Sequence, residues 1–134
     1  MRLWHEKLIK YLPNMQLLGQ HRECCALRGN GWGKKHSTVD YVFTHKYEDL
    51  YNYHMKIIKE MQFRNFKVDN MWLNGKYRGK KCEPKINIED SYYQETIYNE
   101  HNKKYLNECI YNLKNKNTKP FNFSNWEEIE KILI

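Results

Sequence analysis

Residues 13–28 read PNMQLLGQHRECCALR, and this stretch carries the clearest structural signal in the chain. Pro13 is well suited to open a helix, because the N–H that it lacks has no partner in the first helical turn. The glycine-rich segment that starts at Gly29 is of a kind that ends helices. The stretch therefore predicts a helix over residues 13–28 with two distinguishable faces. One stripe holds Leu17, Leu18, His21, Cys24, Cys25 and Arg28, and the neighbouring face holds Gln16, Gln20 and Glu23.

Hydrophobic spacing predicts three further helices. The second covers residues 47–64 and the third covers residues 100–114. A short last helix starts at Ser124, which forms a capping box with Glu127. Apolar and polar side chains alternate weakly over residues 39–43, which suggests a short extended segment. The inward-facing residues are predicted to be Leu50, Tyr53, His54, Ile57, Ile58 and Met61 in the second helix, Tyr105, Leu106, Cys109, Ile110 and Leu113 in the third, and Trp126, Ile129 and Ile132 in the last.

The chain has 134 residues, which is the size of one domain. Apolar residues make up 40% and charged residues 29%, a globular composition that argues against disorder. Helices dominate and no strand pair is convincing. The sequence therefore predicts an all-α fold: a single compact domain over residues 1–134, with three main helices plus a short C-terminal helix.

The charge of the chain points to an anionic partner. Lys and Arg number 23 against 16 Asp and Glu, for a net charge of +7. Nucleic acid is the first candidate, and a merely solubilising surface is the alternative. No run approaches the roughly 18 apolar residues of a membrane span, and residues 1–10 lack the apolar stretch of a secretion signal. We therefore expect no membrane partner, a cytoplasmic, nucleoid or viral-factory location without secretion, and reduced cysteines.

The cysteines and histidines give only a weak signal for metal. His21, Cys24 and Cys25 are close in sequence, but adjacent cysteines are poor tetrahedral ligands and no Cys-x-x-Cys pair completes a zinc site. Thiols packed on a helix face are the preferred interpretation. A thiol nucleophile with His21 or His36 as its base stays open as an alternative. The sequence predicts neither a metal nor a small-molecule cofactor.

The densest polar signal lies at Gln20-His21-Arg22-Glu23 and continues after the helix. It is followed by Arg28, Lys34, Lys35 and His36, and a second basic group in a later loop holds Lys76, Arg78, Lys80 and Lys81. Basic residues in such clusters would hold phosphates. Glu23 has no basic residue three or four positions away, so the usual helical salt bridge does not explain it. A functional carboxylate and an ordinary surface carboxylate both stay open at this point.

The same residues resemble a known family. Residues 17–23, with Arg28 and Lys35-His36 after them, resemble the first helix of the pyrimidine-dimer DNA glycosylases of the phage endonuclease V type. The opening Met1-Arg2-Leu3-Trp4 resembles the start of that family. Residues 1–5, 17–28 and 31–43 are more similar still to a cellular and viral branch of it. The first residue departs from the phage type, in which removal of Met exposes a small residue.

The resemblance implies a fold, a reaction and a set of site residues. The fold is one helical domain whose N-terminal segment threads between the helices. The α-amine, here that of Met1, attacks the sugar C1′ of the 5′ nucleotide of the dimer and forms an imine, Glu23 assists, and β-elimination cuts the strand. Arginines at the positions of Arg2, Arg22 and Arg28 hold phosphates of a kinked duplex. The DNA-binding candidates are Arg2, Gln20, His21, Arg22, Arg28, Lys34, Lys35 and His36, and we expect a monomer that binds damaged duplex DNA.

General chemistry is consistent with those roles. An α-amine in an unperturbed peptide has a pKa of about 7.7–8.0, so a usable fraction is neutral at pH 7. The imine and the state before it carry positive charge, which a nearby carboxylate stabilises. Gly19 lies one turn before Glu23, where a missing side chain would admit the N-terminal segment; an incidental helix glycine is the equal alternative. The rival functions are a non-catalytic or differently specific DNA-binding protein on the same scaffold and a small structural or interaction protein.

Overall fold

Four α-helices form the domain, and they agree with the predicted order. In this computed structural model, the described residues are 2–29, 38–85, 88 and 96–134. The helices are α1 (Asn14–Arg28), α2 (Tyr47–Phe63), α3 (Lys103–Asn115) and α4 (Trp126–Leu133), with short 3-10 helices at Glu6–Tyr11, Asp40–Phe43 and Asn70–Leu73. The described ranges contain no strand. The all-α prediction of a single compact domain with three main helices and a short C-terminal helix is confirmed.

The ends of the helices follow local capping chemistry. Pro13 is the N-cap of α1, and Gly29 closes the helix with a backbone N–H that donates to the Cys25 carbonyl at 3.1 Å. The third helix begins later than predicted, because the Asn102 side chain caps it by accepting from the Tyr105 N–H at 2.9 Å. Asn is a strong N-cap residue, which explains why the helix starts there and not at residue 100.

Three local predictions are wrong. The piece at 39–43 is not extended, because Asp40–Phe43 forms a 3-10 helix. The cap of α4 is Asn125, which accepts from the Glu128 N–H at 3.0 Å, so the capping box of Ser124 with Glu127 does not form. Ile132 is not inward-facing either, because 54% of its surface is exposed and Leu133 packs against the core instead.

The core lies between the N-terminal segment and the four helices, each of which contributes buried residues. All six predicted inward residues of α2 are buried. Leu3 and Trp4 are 0% and 5% exposed, so these two residues lie inside the domain. Side chains from α1, α2 and α3 bond to the backbone of residues 2–4, which confirms a segment threaded between helices. No helix in these ranges has the length and apolarity to cross a bilayer.

Candidate active site and nucleic-acid interface

Gln20 joins the N-terminal segment to α1. Its side-chain nitrogen donates to the Arg2 carbonyl at 2.9 Å and to Glu23 Oε2 at 2.8 Å. Its side-chain oxygen accepts from the Trp4 N–H at 2.6 Å. Gln20 is only 1% exposed, so these bonds form away from water. One amide therefore fixes the backbone of residues 2–4 relative to the carboxylate of Glu23.

Two tyrosines complete this hold on the segment. The Tyr53 hydroxyl of α2 donates to the Trp4 carbonyl at 2.5 Å, and the Tyr105 hydroxyl of α3 donates to the Leu3 carbonyl at 2.5 Å. The three consecutive carbonyls of residues 2–4 thus each accept a hydrogen bond from a different helix. We call Gln20, Tyr53 and Tyr105 the N-terminal clamp. A clamp of this kind gives the backbone of residues 2–4 a defined position, and a catalytic group next to it would require such positioning.

Glu23 lies beside the clamp in a partly dry environment. Burial raises the pKa of its carboxyl group, while the positive charge of the chain's amino terminus, a hydrogen bond from the Arg2 backbone, Lys116 and Arg22 act in the opposite direction. Its neighbour on the helix is Gln20, an amide three residues earlier, and not a basic residue. The prediction that Gln20 and Glu23 lie on the same face of the helix is confirmed. The carboxylate is therefore held in place by a neutral donor, which leaves its charge available to a cationic group.

Cationic side chains lie near this carboxylate and the N-terminal segment beside it, and the charges of Lys116 and Arg22 act to lower the pKa of Glu23. The Arg2 guanidinium lies 5.9 Å from the ring centroid of Trp4 and 5.6 Å from that of Tyr105. The Lys116 ammonium lies 5.4 Å from the Trp4 ring, and Arg22 is exposed on α1. We call Arg2, Arg22 and Lys116 the basic rim. Lys116 was missed in the sequence, because nothing local links the end of α3 to a site at residue 23.

Arg28 does not belong to a DNA-binding surface, and this candidate role is corrected. Its side chain is 0% exposed. Its nitrogens bond to five partners, which are the Tyr47 hydroxyl at 3.1 Å, His54 Nδ1 at 3.0 Å, and the carbonyls of Trp72, Asn74 and Tyr77 at 2.8 Å each. A guanidinium has five N–H groups, so none is left for a phosphate. Arg28 instead ties the loop after Asn70–Leu73 to α1.

This role predicts a large loss of stability on substitution. Arg28→Met should lower the free energy of unfolding by at least about 3 kcal/mol, because three part-buried carbonyls and a buried histidine nitrogen lose their donors. Arg22→Met makes the same chemical change six residues earlier at an exposed position, and it should change stability by less than about 0.5 kcal/mol. Urea unfolding of both variants measures the difference. Equal effects would contradict the buried role of Arg28.

The structure also bears on the roles expected for Gln20 and Gly19. Gln20 is buried in the clamp, so its hydrogen bonds there exclude the direct DNA contact predicted for it. A Cβ added at Gly19 would meet only the Arg22 side chain, at 3.6 Å, among the described residues. Residues 2–13 therefore do not need a glycine there, which favours the alternative of an incidental helix glycine.

The alternative of a thiol nucleophile is not supported. Cys24 is fully buried, and burial raises the pKa of its thiol well above the usual value. Burial likewise raises the pKa of Cys25 to about 12. Both groups are therefore protonated at neutral pH, and the thiolate is the reactive form.

One group of ligand-type atoms was missed in the sequence. His21 and Cys25 lie one turn apart on α1, and His54 of α2 comes beside them, so that the three candidate ligand atoms lie within 4.8 Å of one another. The sequence did indicate that His54 faces inward from α2. It could not indicate that His54 meets His21 and Cys25, because that contact depends on how α1 and α2 pack. Met1, Lys34, Lys35 and His36 lie outside the described residues, so their predicted roles stay predictions.

The described residues thus form an all-helical domain in which the carboxylate of Glu23 is fixed beside the N-terminal segment. A protein-family model described as pyrimidine dimer DNA glycosylase matches residues 1–74. The chain belongs to the pyrimidine dimer DNA glycosylase family. The matched range holds the N-terminal segment, α1 and α2, whereas Tyr105 and Lys116 lie beyond it. No curated protein and no solved structure matches the chain.

Proposed function

We propose that this protein is a DNA glycosylase with AP-lyase activity on pyrimidine dimers in ultraviolet-damaged duplex DNA. The α-amine of Met1 is the nucleophile, and Glu23 is the carboxylate that assists it. The enzyme works as a monomer, without metal or cofactor, in the cytoplasm, nucleoid or viral factory. Family membership supports the reaction class, and the arrangement around Glu23 supports the choice of residues.

The bridge formed by Gln20 carries this proposal. Gln20 bonds at once to the Arg2 carbonyl and to Glu23 Oε2, so the carboxylate lies close to the second residue of the chain. Consecutive Cα atoms are about 3.8 Å apart, so the amine of the preceding residue is within one residue length of Arg2. Glu23 is thus the carboxylate that the clamp holds near the start of the chain.

The proposed reaction needs an amine and a carboxylate in this relation. The amine nitrogen bonds to C1′ as the bond between C1′ and the base breaks, and ring opening with loss of a proton gives an imine. Removal of a proton from C2′ then expels the 3′ phosphate, and water releases the protein. Glu23 stabilises the positive charge on C1′ and on the imine, and it accepts and returns the protons. Its partial burial strengthens both effects, because the surroundings screen charge less than water does.

The basic rim supports the DNA partner. Arg22 and Lys116 lie near the carboxylate, Arg2 packs against Trp4 and Tyr105, and Lys76, Lys80 and Lys81 are exposed on the loop that follows Asn70–Leu73. If about four to six phosphates are neutralised, log K for duplex binding should fall against log salt with a slope of roughly −4 to −5. Titration of a labelled duplex at several salt concentrations measures the slope. A slope near zero would rule out a nucleic-acid partner.

Borohydride trapping tests the proposed mechanism. A duplex that holds one pyrimidine dimer is incubated with the protein and sodium borohydride, which reduces an imine to a stable amine. We expect a covalent protein–DNA adduct, and strand cleavage when borohydride is omitted. Salt-dependent duplex binding with neither adduct nor cleavage would favour the alternative, a non-catalytic or differently specific DNA-binding protein on the same scaffold.

A further inference from the structure

The group formed by His21, His54 and Arg28 has no place in the reaction above. Arg28 Nη1 lies 3.0 Å from His54 Nδ1, and His54 Nε2 lies 2.8 Å from His21 Nδ1. Arg28 and His54 are buried, while the ring of His21 is half-buried. The three side chains form one line of hydrogen bonds from the interior to the surface of α1.

The direction of each bond follows from Arg28. A guanidinium has only donors, so His54 Nδ1 accepts, and the proton of a neutral His54 sits on Nε2. That N–H donates to His21 Nδ1, which accepts, so the proton of a neutral His21 also sits on Nε2. Since Nδ1 of His21 is taken up by His54, Nε2 carries the ring proton that is left for a further partner, and Cys25 Sγ, a weak acceptor, lies 3.8 Å from it. In the part of the chain that the structure describes, no oxygen or nitrogen acceptor bonds to this N–H.

Both rings are neutral in this arrangement. Burial lowers the pKa of His54 well below its usual value, and the positive charge of Arg28 and the neighbouring His21 lower it further. Burial also lowers the pKa of His21, and Arg22 and Arg28 act in the same direction. His21 is therefore an uncharged donor, although it lies next to the exposed cation of Arg22 on the same helix.

A metal ion on His21, Cys25 and His54 is the competing interpretation, and two observations oppose it. A metal on His54 Nε2 would move the proton to Nδ1, where it would face the donor of Arg28 at 3.0 Å. Cys25 Sγ is 3.9 Å from Nδ1 and 3.8 Å from Nε2 of His21. A sulfur equally far from both nitrogens lies along the lone pair of neither, so a metal on Nδ1 would not also meet the thiol at the usual distance of about 2.3 Å.

We propose that Arg28 and His54 are positioning residues that hold His21 as a neutral, single-donor contact to a DNA phosphate oxygen through its Nε2–H. The identity of the acceptor rests on the proposed function, whereas the hydrogen-bond line stands without it. A neutral donor adds a directional bond and no charge. His21 thus fixes the position of the duplex beside the basic rim, and the cations supply the salt-dependent attraction.

Nitrogen NMR of the histidine rings tests the line without any DNA. At pH 7 we expect His21 and His54 both to be neutral with the proton on Nε2, and one equivalent of zinc to leave both signals in place. His54→Gln can still accept from Arg28 and donate to His21, so it should keep the His21 tautomer. His54→Leu should lose this preference of His21 for a proton on Nε2. If His54→Leu does not fold, the wild-type spectrum alone tests the hydrogen-bond line. A proton on Nδ1 of His54, a charged His21, or signals of both rings shifted by bound zinc would overturn the proposal.

Duplex binding then tests the phosphate contact. His21→Phe keeps a flat ring without a donor, and it should weaken binding about fivefold, the usual worth of one hydrogen bond. The salt slope should stay unchanged, whereas Arg22→Met should reduce its size by about 0.9. His21→Gln supplies an amide donor and should recover part of the affinity. Unchanged affinity in His21→Phe, or a salt slope reduced as in Arg22→Met, would overturn the contact. If the wild-type protein showed no salt-dependent binding to the duplex, that result would instead refute the proposed function.

Discussion

Glu23→Gln should lower strand cleavage at dimers by at least about 100-fold, the usual scale for a general acid–base group. The amide keeps the shape of the side chain, and its oxygen can still accept from Gln20, so the clamp should be undisturbed. It cannot carry the negative charge that stabilises the imine or the cation before it. DNA binding should be unchanged or tighter, because the substitution removes a negative charge from a basic site. Gel assays of cleavage and binding on the same duplex measure the two effects.

A second carboxylate provides the control for this result. Glu108 is exposed on α3, and Glu108→Gln makes the same change of charge outside the site. It should leave cleavage within about twofold, since surface substitutions of this kind rarely matter. The pH profile gives a further check. Burial raises the pKa of Glu23, so as the pH is lowered wild-type cleavage should begin to fall at a higher pH than it would with an ordinary glutamate. Full activity in Glu23→Gln would make Glu23 an ordinary surface carboxylate.

Blocking the N-terminal amine should abolish both cleavage and borohydride trapping, while binding to damaged duplex survives. Because the second residue is the bulky Arg2, we expect the initiator Met1 to be retained and to supply the amine. One extra residue moves the amine by about 3.5 Å, beyond the distance of attack, since the clamp keeps residues 2–4 in place. Acetylation removes the lone pair that attacks. Either change should therefore eliminate the chemistry without altering the basic rim.

A tag at the other end of the chain is the matched control. Ile134 is 55% exposed, so a C-terminal extension should leave activity intact. Peptide mapping of the trapped adduct identifies the nucleophile directly, and we expect the DNA on the N-terminal peptide. The competing amines are those of Lys7, Lys34 and Lys35, which would need a lowered pKa to react at pH 7. Attachment at a lysine, together with full activity in an N-terminally tagged protein, would refute the N-terminal mechanism.

Helical periodicity was sufficient for the parts of the molecule that depend on neighbours along the chain. The spacing of apolar residues predicted α2 and its buried face, and the spacing of three between Gln20 and Glu23 predicted that they share a face. A helix fixes such relations within one or two turns, whatever surrounds it. The errors at helix ends, such as Asn125 in place of Ser124, come from caps that differ little in free energy.

Local spacing and composition were therefore enough to predict the helices, most of their inward faces, the basic charge and the candidate carboxylate Glu23. The packing of the helices was needed to show that Arg28 is buried while Arg22 is exposed, although both are arginines on one helix. It also brought Tyr105 to the carbonyl of Leu3, across 102 positions of the chain, and Lys116 to the ring of Trp4. Contacts between distant segments depend on how whole helices pack, which local spacing does not encode. The contacts of Tyr105 and Lys116 in this site therefore depend on the fold and could not be predicted from their positions in the sequence.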